Sequence, residues 1–105
     1  MDDATVTFIT TPDRETAERL AEHLVGARLA ACVNIIPGVT SVYRWEGAVQ
    51  KDDEVLMVVK SRPERWGEIE EAMEKEHPYD VPAVVHLSIA DGSAKYLEWL
   101  VAESR

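Results

Sequence analysis

The sequence predicts an α+β fold: a four-stranded antiparallel sheet with helices on one face and a further helix at the end of the chain. Three observations lead there. Segments rich in β-branched residues alternate with segments of helical apolar spacing, in the order strand, helix, strand, strand, helix, strand, helix. Glu46-Gly47, between the two central strand segments, reads as a hairpin turn. The second of them holds "EVLMVVK", residues 54–60, a run apolar on both sides of the pleat and so expected to be covered on both faces.

The elements follow in order. "ATVTFIT", residues 4–10, is β-branched and predicts the first strand. In the helix after it, Thr11 is the expected cap, Pro12 suits the first helical position, and Asp13 and Glu15 complement the positive end of the dipole. Ala17, Leu20, Ala21, Leu24 and Val25 form its apolar face, and Gly26 is the expected stop. "ACVNII" and "VTSVYRW" are halves of one strand, interrupted at Pro37-Gly38, where a bulge or bend is expected. The hairpin they open is long enough to project beyond a small domain. In the second helix Ser61 and Glu64 have capping-box spacing, Trp66, Ile69 and Met73 share a stripe, and the glutamates between Glu68 and Glu76 form a solvated face. Pro78 ends it. "VPAVVHLSI", residues 81–89, is the fourth strand, and a terminal helix docks Tyr96, Leu97, Leu100 and Val101 on the sheet. A split βαβ pair of this kind is the ferredoxin-like arrangement, βαββαβ with an extra C-terminal helix. Its second sheet face needs cover, which predicts a homo-oligomer.

All 105 residues are expected to form one domain, 1–105. The formal charge of −9 argues against a nucleic-acid partner and against anionic membranes. Seven arginines against four lysines, in so acidic a chain, fit a salt-adapted host. No apolar run approaches the ~20 residues of a membrane-spanning helix. "MDDATVTF" shows no signal peptide, and a lone cysteine makes no intramolecular disulfide, so the expected compartment is the reducing cytoplasm. Neither a glycine-rich phosphate loop nor a GxSxG or HExxH motif occurs, and no acidic pair is set apart by apolar surroundings. The protein is expected not to be an enzyme.

The remaining chemistry lies in a few side chains. Cys32 is either a small core residue or a thiolate ligand for Cu(I) or Zn. His77 is either a cap at a helix end or an imidazole ligand, and His23 falls on the polar side of the first helix. Tyr43 and Trp45 share a strand face, as do Glu54 and Lys60 on the paired strand. With Tyr79 they form either an interface held by a salt bridge and aromatic contacts or the lining of a cleft between subunits.

"RLAACVNIIPGVTSVYRWEGAVQKDDEVLMVVKS", "EHPYDVPAVV" and "YLEWL" resemble the CutA family of divalent-cation tolerance proteins over nearly the whole chain. The resemblance implies a ferredoxin-like domain, similar to the PII signalling proteins, assembled as a homotrimer through its long strands. It implies tolerance of copper or another divalent cation, with metal contact at Cys32 first and His77 second. His86 departs from the family pattern of a small or aliphatic residue and inherits no role. The analogy with PII proteins also implies a small-molecule effector in an intersubunit cleft, an anion meeting Lys60 and Arg44 beside Tyr43, Trp45, Glu54 and Tyr79. A trimeric assembly module for a partner protein is a third reading.

Overall fold

The computed structural model describes residues 4–105; residues 1–3, the start of the stretch read as free of a signal peptide, lie outside the described residues. Strand β1 (Ala4–Thr11) leads into helix α1 (Arg14–Gly26), followed by the hairpin of β2 (Cys32–Trp45) and β3 (Ala48–Ser61). A single 3-10 turn, Pro63–Arg65, precedes α2 (Trp66–Glu76), and β4 (Val84–Ile89) and α3 (Ala94–Glu103) complete the chain. The sheet order is β2-β3-β1-β4 with every neighbouring pair antiparallel, as the split βαβ reading requires.

Cross-strand partners share a sheet face, so the register sorts the side chains. Thr7, Ile9, Val55, Met57 and Val59 lie on one face, where they meet Leu20, Leu24, Ile69 and Met73 of α1 and α2 in the main core. Val6, Phe8, Leu56, Val58, Val85 and Leu87 lie on the other. There α3 covers only one end, closing Leu97 and Leu100 over Ala4, with Ala31 and Ile89 beside them. The terminal helix therefore docks opposite α1 and α2. Tyr96, expected to dock with it, stays exposed while Leu97, Leu100 and Val101 are buried. Beyond the reach of α3 this face is bare: Val85 keeps 52% of its surface exposed and Leu87 46%.

Two expected caps are replaced. Asp13, not Thr11, caps α1, its Oδ1 accepting from the Thr16 amide at 2.8 Å, while the Thr11 hydroxyl serves the carbonyls of Asp13 and Val55. No capping box forms at Ser61. That residue completes β3, fully buried, with its hydroxyl against that of Thr5, and Glu64 pairs with Arg62 instead. Strand pairing has taken the serine that the helix would have used.

The hairpin behaves as its turn residues dictate. Glu46 and Gly47 both have positive φ, 50° and 81°, the pattern of a two-residue type I′ turn. β1 pairs with β3 only from Val55 to Ser61, so the outer half of the hairpin projects past the sheet. The molecule measures 44 × 25 × 22 Å as a result.

Candidate functional site

The site begins with the bulge. Ile36 pairs with Leu56 and Val39 with Glu54, so Pro37 and Gly38 together oppose Val55, and Gly38 takes a φ of 82° that a side chain would strain. One extra residue inverts the alternation of β2. Cys32, Asn34 and Ile36 face the bare side before the bulge, and Val39, Ser41, Tyr43 and Trp45 face it afterwards, beside Glu54 and Asp52 of β3. Without the inserted residue Tyr43 and Trp45 would point to the opposite side from Glu54.

The loop after α2 supplies the opposite wall, and His77 pins it. The Tyr79 amide donates to His77 Nδ1 at 3.1 Å, so Nε2 carries the proton and donates to the Thr10 carbonyl at 2.8 Å. Both ring nitrogens are thus engaged in a neutral, buried imidazole. Tyr79, held in this way, donates its hydroxyl to Glu54 Oε2 at 2.9 Å, and Tyr43 donates to Asp52. Burial, and then the bond to Glu54, push the Tyr79 phenol above the usual tyrosine range. The bond to Asp52 does the same for Tyr43. Both tyrosines therefore remain donors.

Together these groups line a cleft of about 650 Å³, formed by Thr10, Ser41, Tyr43, Trp45, Asp52, Glu54 and the loop from Pro78 to Ala83. Four of the expected ligand-binding residues, Tyr43, Trp45, Glu54 and Tyr79, converge there. Two do not. Arg44, paired with Val49, points to the other side of the hairpin and reaches the Gly47 carbonyl. Lys60 shares the face of Glu54 but stands six residues away, roughly 20 Å along the strand, with Nζ 3.4 Å from the Tyr96 hydroxyl and 5.5 Å from its ring centre. Ser41, Asp52 and Asp80 were not anticipated. Period two from Glu54 and Tyr43 was the signal for Asp52 and Ser41.

Cys32 is half-buried and opposite Lys60, its sulfur 3.9 Å from Asn34 Oδ1. Lys60 pairs with Val6, whereas His77 bonds Thr10, so the two candidate ligands are separated by four residues, about 13 Å, along β1 and by two strands across the sheet. They do not form one site within a chain. No group of three or more His, Cys, Asp or Glu residues among the described residues is arranged to hold a metal ion. His86 stands on the covered face, stacked 4.3 Å from Trp66 with Nδ1 2.9 Å from the Thr7 hydroxyl, and its burial lowers its proton affinity.

Residues 5–103 match the family model for the CutA1 divalent ion tolerance protein. The chain is 48% identical over 95 residues to the divalent-cation tolerance protein CutA of Thermus thermophilus, covering 90% of this chain and 92% of that one. It is 48% identical over 100 residues to the chloroplastic protein CutA of Arabidopsis thaliana, covering 95% of this chain and 55% of that protein. The chain thus spans about half the length of the plant relative. Among solved structures, the Thermus thermophilus cation tolerance protein superposes with a TM-score of 0.93 at 46% identity, covering 95% and 97% of the two chains. CutA1 from Oryza sativa superposes with a TM-score of 0.95 at 44% identity, covering 99% and 95%.

Proposed function

Because the chain belongs to the CutA1 family of divalent ion tolerance proteins, we infer that it serves cation tolerance as a non-enzymatic cytoplasmic homotrimer that contacts copper weakly through Cys32. The observation carrying this reading is the bare half of the sheet. Phe8, Val85, Leu87 and Ile36 leave an apolar surface open on the face that also presents Cys32. Covering it with further copies of the chain removes that surface from water. It also places the thiols of several chains on the buried side of one assembly. The described residues of a single chain do not fit a closed metal centre, which needs about four ligands, so a thiolate set would draw on more than one copy. His77 is the weaker candidate, since a metal would have to displace the Thr10 carbonyl or the Tyr79 amide.

The test is a competition titration of reduced, metal-free protein with Cu(I) against a moderate chelator, with assembly mass followed throughout. Binding by the wild type and none by an intact Cys32→Ser assembly supports the reading. Equal weak binding by both makes Cys32 a packing residue.

A second reading has its own observation. The cleft formed by Tyr43, Trp45, Glu54 and Tyr79 has the volume and aromatic walls of a small-molecule site, which favours a sensor of PII type.

A further inference from the structure

The cleft has a charge sign. Its lining contains the carboxylates of Asp52, Glu54 and Asp80 and the rings of Tyr43, Trp45 and Tyr79, with no lysine or arginine. The hairpin's cations are turned away, because Arg44 and Lys51 occupy the positions alternate to the cleft-facing ones. Glu54 is the decisive group. It is only 8% exposed, one oxygen is taken by Tyr79, and among the described residues it forms no ion pair. The second oxygen has no partner among the described residues, and it is not sealed from solvent, so it opens to the cleft. That open oxygen is an acceptor with no counter-charge beside it, so a cation entering the cleft gains a charge-assisted hydrogen bond there.

The kind of cation follows from the remaining groups. A hard divalent ion needs six or more oxygens, more than the described residues of one chain bring together at the cleft. Three aromatic rings beside the carboxylates suit a cation that carries carbon as well as charge. A free carboxylate oxygen favours one with N–H donors.

From this arrangement we propose that the cleft binds a small organic cation bearing a primary ammonium group, its nitrogen on Glu54 and Asp52 and its carbon frame against Tyr43, Trp45 and Tyr79. The proposal rests on the sensor reading and replaces the anionic effector expected from the PII analogy with a ligand of opposite charge.

The experiment is calorimetric titration of the assembled protein at low salt with 1,4-diaminobutane, and separately with succinate, a dianion of the same chain length. The expected result is saturable binding of the diamine, no binding of succinate, and a loss of roughly tenfold or more in affinity in Glu54→Gln. That variant keeps an acceptor for Tyr79 but removes the charge, and Glu98→Gln, on the exposed side of α3, leaves affinity unchanged. Should Glu54→Gln fail to fold, Trp45→Ala, on a half-exposed ring, is expected to weaken the diamine by a similar factor. Succinate binding without diamine binding overturns the ligand class and leaves the sensor reading standing. Binding of neither overturns both, and is the result expected if a neighbouring copy supplies the missing cation. Diamine binding indifferent to both variants would place it on the acidic surface at large and reject the site.

Discussion

On one face of the sheet Ile9, Met57 and Val59 are fully buried beneath α1 and α2, while on the other Phe8, Val85 and Leu87, their neighbours in the same strands, remain about half exposed. The residues are of the same kind on both sides. What differs is that the chain carries helices enough for one face and a single helix for one end of the second. A surface of that composition left open by its own chain is the one that the proposed assembly would cover. On the proposed assembly, the contrast separates groups that hold the fold from groups that would join the copies.

The largest effect expected from breaking this contrast is on the bare face. Leu87→Asp places a charge where copies would meet, and it should abolish assembly, read by sedimentation, while the circular dichroism of the single chain persists. On the covered face the consequence is the reverse. Met57→Ala should cost about 2–5 kcal/mol in urea unfolding at fixed protein concentration and leave the assembly mass unchanged. The cap of α1 comes next: Asp13→Ala should cost about 0.5–2 kcal/mol, the loss of the bond to the Thr16 amide.

His86 sharpens the comparison by pH. Burial on the covered face holds its affinity for protons below the usual imidazole value of 6.5, so the fold prefers the neutral ring. The unfolded chain then binds the proton first as pH falls, and the stability His86 contributes is complete above about pH 6.5 and lost below it. His86→Gln, which keeps a partner for Thr7, should flatten the fall in urea midpoint between pH 7 and 5. The smallest effect belongs to the solvent: Glu18→Ala removes an exposed pair with Arg14 and should change stability by less than about 0.5 kcal/mol.

The order of elements, the hairpin turn and the interruption at Pro37-Gly38 were legible because each rests on local chemistry: β-branching, helical spacing, and residues that tolerate positive φ. The caps were less so. Thr11 and Ser61 have side chains suited to capping, but tertiary hydrogen bonds to Val55 and Thr5 claimed them. The placing of α3 on the far face was not visible, since an apolar helix stripe does not state which side of a sheet it meets. At the cleft, period two put Tyr43 with Trp45 and Glu54 with Lys60, yet joining the two pairs required the exact register after the bulge. The pinning of the Tyr79 loop by His77 needed a contact with Thr10, 67 residues distant, that no spacing rule reveals.

The most direct test of the account is the solution mass of the unmodified protein by sedimentation equilibrium at micromolar concentration. The account predicts a single species of three times the 11.8 kDa chain that Leu87→Asp reduces to one. A monodisperse monomer in the wild type would contradict it, for the bare sheet face would then be a stable surface in water.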